Sequence, residues 1–428
     1  MKANRERYTP HDVGPSPLDW DAPYLEDVSS LITNGFVGTA TPHYTNENGV
    51  PYLYGTNVRA NKIDPRGIRY INQEFHKKQF KTELREGDLL TVQSGHIGET
   101  AVVPKKYEGA NCHALIVTRT KSQFVYPKFL SYYMNSEIGK ARLKGLEVGS
   151  TILHINTKDL KKFRVLLPSI VEQRKIAQIL SAWEKAISTT EHLIDNSKQQ
   201  KKALMQQLLT GKKRMLDDTG NSFEDDWEEI TVGAVANLTA GGTPSTKHLE
   251  YWGGEIPWMN SGEINLKQVY SVEGRITELG LKKSSTKEIP SNSVLIALAG
   301  QGKTRGTVAI NRIKVCTNQS IAAIMPNEQK LDSDFLYFNL DNRYRELRAM
   351  STGDGGRGGL NLSILKSIKL KLPAIEEQQK IANVLTNADK EIELLQKQLD
   401  DFKQERKALM QQLLTGKRRV KIDDKEVA

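Results

Sequence analysis

The sequence predicts a mixed α/β (α+β) chain: two pseudo-repeated globular domains joined by two long helices that form an antiparallel coiled coil. Three observations predict it. The eleven residues KALMQQLLTGK occur at Lys202–Lys212 and again at Lys407–Lys417, an offset of 205. LPSIVEQRKIAQIL (Leu167–Leu180) and LPAIEEQQKIANVL (Leu372–Leu385) repeat at the same offset of 205. From Glu172 to Leu209 there is no Gly or Pro, and apolar residues recur at alternating spacings of 4 and 3, the heptad seam of a coiled coil.

The first globular domain occupies residues 1–168, with an N-terminal extension over 1–18 that has no counterpart in the second half. Turn signals at Asn48-Gly49, Pro65-Arg66-Gly67 and Gly87-Asp88 separate short β-like runs. Leu89–Gln93 and Thr100–Val103 read as strands around the turn Ser94–Gly98. Pro127–Leu143 reads as a helix. The second globular domain, residues 216–372, repeats this order. Asp19-Trp20 matches Asp226-Trp227, VPYLYGTNV (Val50–Val58) matches IPWMNSGEI (Ile256–Ile264), Phe129-Leu130 matches Phe335-Leu336, and Ile155-Asn156 matches Leu360-Asn361. The offset drifts between 205 and 207 here, so the loops differ while the scaffold is shared.

The central helix (residues 169–215) and the C-terminal helix with its basic tail (residues 373–428) carry the two seams. The first seam is Ile176, Leu180, Trp183, Ile187, Thr190, Ile194, Ser197, Lys201, Leu204 and Leu208. The second is Ile381, Leu385, Ala388, Ile392, Leu395, Leu399, Phe402, Arg406, Leu409 and Leu413. Each helix runs roughly 57 Å at 1.5 Å per residue, longer than a domain is wide. The sequence admits packing of each helix on its own domain, or pairing between two chains; an intrachain antiparallel pair uses both copies at once. Pro168 and Pro373 precede the helices, Gly211 and Gly416 follow them, and the basic runs Lys212–Arg214 and Lys417–Arg419 suit the negative end of a helix dipole. Lys201 and Arg406 are long basic residues in seam positions, placed either to snorkel or to mark a point where the pair opens.

The bulk numbers limit the classes. A net charge of +10 on 428 residues suits a polyanionic partner. The two cysteines, Cys112 and Cys316, support neither a disulfide framework nor a zinc ribbon. The N-terminus lacks an apolar signal region and no apolar run is long enough to span a bilayer, which fits a cytoplasmic protein.

The repeated blocks, (I/L)P-x-x-x-E-Q-x-K-I-A-x-x-L opening each helix and L-x-x-x-L-L-T-G-K closing it, resemble the specificity subunit of type I restriction-modification enzymes. The residues that carry this are Leu167-Pro168, Glu172-Gln173, Lys175–Ala177, Leu180 and Leu208–Lys212, with Leu372-Pro373, Glu377-Gln378, Lys380–Ala382, Leu385 and Leu413–Lys417. Gly242–Ser245 and Ile256–Trp258 are similar to the start of a target recognition domain. The first half departs from that pattern, with TATPHYT at Thr39–Thr45. The resemblance implies a non-catalytic subunit in which each globular domain reads one half of a bipartite site in double-stranded DNA. The helices then set the gap and dock two modification (methyltransferase) subunits, and restriction (translocase/nuclease) subunits join through that complex. No cofactor is expected in this chain; S-adenosylmethionine, ATP and Mg²⁺ belong to the partner subunits.

Other chemistry fits less well. Ala297–Thr304 satisfies the loose phosphate-loop pattern, with Lys303 and Thr304 as its ligands. That site needs a helix directly after the loop, whereas Arg305–Ile310 reads as a strand. No Pro-Pro-aromatic loop for amino methylation occurs, and the histidines lack ligand spacing. A coiled-coil adaptor with two protein-binding ends is the alternative of another class.

A reader of DNA needs cations for phosphates and polar side chains in loops for base edges. In the first domain the candidates are His43, Tyr44, Arg59, Lys62, Arg66 and Arg69, with Ser94 and His96 in the later turn. In the second they are Thr243, Ser245 and Lys247, then Gln301, Lys303 and Arg305, and Arg357.

Overall fold

The computed structural model describes residues 8–11, 14–147, 153–223, 225–300, 304–350 and 359–422. The chain divides into two compact units, Met1–Glu191 with Gln398–Ala428, and His192–Lys397. Each unit holds one globular domain, the start of one long helix and the end of the other.

In the first unit the main sheet is antiparallel and contains β1 (Ser29–Asn34), β3 (Leu89–Val92), β4 (Thr100–Val102) and β5 (Leu115–Thr120), in the order β4-β3-β5-β1. The inner strands are apolar runs rather than alternating ones, because both faces are covered: β3 is buried throughout. The β3–β4 turn passes through Gly95 (φ 84) and Gly98 (φ 81), a left-handed backbone that glycine adopts without strain. A second small sheet contains β2 (Val50–Leu53), with Asn111–Cys112 running parallel to it.

The helix expected over Pro127–Leu143 is broken in two, α1 (Pro127–Asn135) and α2 (Glu137–Lys144). Ser136 is the reason. Its backbone is extended and its hydroxyl both donates to Tyr133 O (2.6 Å) and accepts from Gly139 N–H (3.1 Å), which caps a new helix. Gly139 permits the close return, since a Cβ there would lie 2.1 Å from Tyr133 O. α1 buries Phe129, Leu130, Tyr132, Tyr133 and Met134, each of the apolar ones contributing roughly 1.5–3 kcal/mol.

The second unit repeats the topology. β6 (Ala236–Ala240), β8 (Val294–Ala297), β9 (Val308–Asn311) and β10 (Ile321–Pro326) form a sheet in the order β6-β10-β8-β9, extended by Gln268–Val269. A smaller sheet pairs β7 (Trp252–Met259) in parallel with Cys316-Thr317. Cys112 and Cys316 are both buried but one register apart, Thr317 standing where Cys112 stands, and burial raises both thiols, Cys316 to about 11. Helix α4 (Ser333–Asn342) stands where α1 stands in the first unit.

The long helices are α3 (Ile170–Leu208) and α5 (Ile375–Leu413), 39 residues each. In the first unit the Trp183 ring meets Phe402 edge-on at 5.6 Å, Glu184 lies 3.6 Å from Arg406, and Glu191 lies 3.0 Å from Lys403. In the second, Lys201 reaches Asp389 (2.5 Å) and Ser197 reaches Glu391 (3.4 Å). From Glu184 to Glu191 the partners step back from Arg406 to Lys403, and from Ser197 to Lys201 they step back from Glu391 to Asp389, so the segments are antiparallel in both units. Ile176, Leu180, Ile187, Ile194, Leu208, Ile381, Leu385, Leu399 and Leu413 are buried, while Trp183, Leu204, Ile392, Leu395, Phe402 and Leu409 are half-buried. Lys201 and Arg406 neither snorkel nor open the pair. Each finds a carboxylate on the facing helix, and these carboxylates, Asp389 and Glu184, are themselves 205 apart.

The helix ends explain the repeated blocks. Gly211 (φ 72) and Gly416 (φ 70) take the left-handed cap. Each glycine also packs near a tryptophan: a Cβ on Gly211 would lie 3.4 Å from Trp227, and one on Gly416 would lie 3.4 Å from Trp20 and 2.4 Å from Pro17. Gln173 donates to Phe124 O (2.8 Å) and Pro168 O (2.9 Å) and accepts from Tyr126 N–H (2.8 Å). Gln378 repeats this on Lys330 O (3.0 Å), Pro373 O (2.9 Å) and Asp332 N–H (2.9 Å). The basic runs do more than answer the helix dipole. Arg214 and Arg419 fold back onto the buried carboxylates of Glu377 and Glu172.

Candidate nucleic-acid interface

In the first unit, Val58-Arg59 and Lys62-Ile63 form a tight hairpin closed by Asn61 in a left-handed conformation (φ 65). The hairpin projects Arg59 toward the β3–β4 turn, where Arg59 Nη1 lies 2.9 Å from His96 Nε2. The same ring nitrogen is 2.9 Å from Gly55 O and 3.2 Å from Val58 O. One nitrogen cannot both accept from Arg59 and donate to a carbonyl, so the hold on Arg59 is divided. Arg59 and His96 are thus brought together from loops 37 residues apart.

Arg66 forks onto Asp64 at 3.0 and 2.6 Å while its own side chain remains 88% exposed. The guanidinium holds the Asp64 carboxyl well below the usual carboxylate range. Arg69 lies over the Tyr44 ring, 5.0 Å from its centroid. Tyr44 hydrogen-bonds the Tyr54 hydroxyl, and His43 stacks on Phe75 at 4.1 Å. His43 and Tyr44 therefore belong to an aromatic cluster with Tyr52, Tyr54, Phe75 and His113, whose burial depresses the His113 pKa. Ser94 is bridged to His154 along the backbone.

Lys62 is exposed and lines a cavity of about 500 Å³ with Glu184, Glu191, Lys403 and Arg406. Sequence reasoning missed the neighbouring Asn61. Its amide donates to Glu184 Oε1 (3.2 Å), and Tyr132 donates to Glu184 Oε2 (2.8 Å), so the hairpin is tied to α3. The available signal was Arg406 in the seam, which needed a carboxylate partner.

In the second unit, Gly241 and Gly242 serve close packing: a Cβ would lie 2.1 Å from Thr317 O at the first and 2.4 Å from Ser285 Oγ at the second. Thr243 donates its hydroxyl proton to Gln319 Oε1 (2.6 Å), and Trp258 Nε1 donates to Gly242 O (3.0 Å). The Gly-Gly-Thr-Pro segment is a brace, and Ser245 and Lys247 project beyond it, exposed. Arg305 lies in the turn before β9. Gln301, Lys303 and Arg357 lie outside the described residues.

The phosphate-loop alternative fails on topology. The chain after residue 303 passes through a turn at Gly306 (φ 77) into β9, antiparallel to β8, so no helix N-terminus follows the loop. Among the described residues no group of three or more His, Cys, Asp or Glu is placed to hold a metal ion. No described helix is long and apolar enough to cross a membrane.

The geometry has counterparts among known proteins. A family model described as the type I restriction modification DNA specificity domain matches residues 17–197 and again 224–404. The chain is 26% identical over 430 residues to a provisionally named MjaX type I restriction enzyme specificity subunit of Methanocaldococcus jannaschii, covering 97% of each. It is 24% identical over 417 residues to the MjaVIII specificity subunit of the same organism, covering 95% of this chain and 94% of that one. Among solved structures, the S subunit of a type I restriction-modification system from M. genitalium superposes with a TM-score of 0.58 at 16% identity, over 94% of this chain and 97% of that one. The HsdS subunit from Thermoanaerobacter tengcongensis gives a TM-score of 0.50 at 17% identity, over 94% and 98%. These two share the fold.

Proposed function

Because the chain belongs to the type I restriction-modification DNA specificity family, we propose that it is the non-catalytic, sequence-reading scaffold of such a complex. Each globular domain reads one half of a bipartite site in double-stranded DNA. The long helices set the gap between the half-sites and dock two modification (methyltransferase) subunits, through which restriction subunits join. Adenine methylation, ATP hydrolysis and their cofactors S-adenosylmethionine, ATP and Mg²⁺ reside in those partners, in the cytoplasm. One observation carries the reading: the scaffold is duplicated down to single hydrogen bonds, while the loops it supports are not. The pins Gln173 and Gln378, and Arg419 and Arg214, repeat at an offset of 205. The segments ahead of the aligned Val50 and Ile256 share little chemistry, GFVGTATPHYTNENG against GGTPSTKHLEYWGGE. Identical pins suit two identical docking partners, and unlike loops suit two unlike half-sites.

Affinity in this reading comes from Lys62, Arg66, Arg69 and Lys247 on phosphates, and sequence from Arg59 with His96 and from Ser245 on base edges. Sequencing the methylated sites in DNA from cells that carry this chain with its modification subunit tests it. A split motif with a fixed gap is the expected result. A continuous motif, or specific binding of protein and none of duplex DNA, would refute it.

A further inference from the structure

The loop that leads into β7 ends in a rigid knob with an apolar tip. Residues Ser245–Glu250 are all exposed, and Leu249 leaves 82% of its surface in solvent, the most of any large apolar residue described as exposed. Isolated exposed leucines are common and need no explanation. This one is held in place from every side. Tyr251 N–H donates to His248 O (3.0 Å), Thr277 N–H to Tyr251 O (2.9 Å), and the Thr277 hydroxyl to Glu250 O (2.8 Å). Trp252 Nε1 donates to Ser245 O (3.3 Å) and packs edge-on against Trp258 at 5.0 Å. The His248 ring stacks on Tyr251 at 4.8 Å and pairs with Glu250 at 2.9 Å. Ordering this turn costs conformational entropy, and a leucine facing water returns nothing against that cost in the free chain. The arrangement is preorganised for something that covers it.

The chemistry of the knob narrows the occupant. His248 and Glu250 satisfy each other, leaving Lys247 as the exposed cation beside the apolar tip. A 3₁₀ turn that begins with an exposed leucine, with an exposed lysine two residues before it, is complementary to a duplex groove, with phosphates on the rim and base edges, including the thymine methyl, on the floor. The equivalent 3₁₀ turn of the first unit, Thr41–His43, exposes Thr41 and Pro42 instead. The two domains thus present different chemistry from the same place in the fold, which fits a loop that discriminates bases and not one that only binds the backbone.

We propose that Leu249 is a specificity-determining residue: it makes an apolar contact with base-pair edges in the major groove of the half-site read by the second domain, with Lys247 on the flanking phosphate. The inference rests on the reading of that domain as a DNA reader. The test uses the complex with its modification subunits, carrying Leu249→Ala or Leu249→Asn, with thermal melting to confirm folding. Methylated-site sequencing and duplex titration over a range of salt are the readouts. The expected result is a preference loosened by about tenfold at one or two adjacent base pairs of one half-site, with the other half and the salt dependence unchanged. Unchanged base preference at normal affinity would overturn the proposal. So would weaker capture of the modification subunit at unchanged base preference, which would place a protein against the knob. If the unsubstituted complex reads no split site, the DNA-reading assignment itself fails, a result distinct from either.

Discussion

Arg419 donates from Nε and Nη2 to the two carboxylate oxygens of Glu172, at 2.8 Å each. The pair closes the first unit by joining the tail of α5 to the entry of α3. Arg214 does the same for Glu377 in the second unit, at 3.0 and 2.9 Å. Both carboxylates are buried, so each would be left without its charge partner if the arginine were lost. Arg419→Ala should destabilise the first unit by about 2–4 kcal/mol, and Arg214→Ala the second by a similar amount. Pairing Arg419→Ala with Glu172→Gln should recover part of the loss. Chemical denaturation of Arg419→Ala, Glu172→Gln, their combination and the unsubstituted chain reads this; additive losses would contradict it.

Acid should weaken the fold for a related reason. The Arg419 guanidinium holds the Asp19 carboxyl below its ordinary 3.8, and Lys369 holds Glu229 below 4.5. A depressed pKa contributes stability that is complete above the ordinary value and lost as pH falls through the folded one. Asp332 acts in the opposite sense, since burial raises it above 3.8; its contribution is present at low pH and lost as pH rises through the raised value. The depressed carboxyls are the more numerous, so urea midpoints should fall between about pH 5 and pH 3. Arg419→Met should flatten the part of that fall due to Asp19.

The seam pairs should fix the helix register. Lys201→Glu places like charge against Asp389 and should cost about 1–3 kcal/mol, and adding Asp389→Lys should restore most of it. Failure of the double exchange to recover stability, read by thermal melting, would show that the pair is incidental.

Much of this was legible in the sequence, and unevenly so. The flanking Pro and Gly bracket both long helices, Ile170–Leu208 between Pro168 and Gly211 and Ile375–Leu413 between Pro373 and Gly416, and Gly211 and Gly416 are the positions that take positive φ. The break at Ser136 was not legible from apolar spacing, which continues through it; a serine three residues before Gly139 was the signal. The Glu-Gln pairs read only as repeated letters, since their partners Arg419 and Arg214 lie far away in sequence for the first and across a whole domain for the second. In the candidate interface, loop composition nominated Arg59 and His96 separately, and folding brings them within 2.9 Å. It also nominated Thr243 and His43, whose side chains are occupied by Gln319 and Phe75. Composition cannot tell a projecting polar group from a bracing one.

Two substitutions separate phosphate contact from base reading in the first domain. Lys62→Ala should weaken binding evenly across sequences and lower the salt slope by about one. Arg59→Ala should instead loosen the preference within one half-site, by about 1–3 kcal/mol at one base pair. The same loss on all sequences from both would contradict the division of roles.

The most direct measurement of the central claim is an exchange of Phe223–Leu372 for the corresponding region of a relative, followed by sequencing of the methylated sites made by the resulting complex. Two independent readers on one duplicated scaffold predict that one half of the split motif changes while the other half is kept. A change in both halves would contradict it.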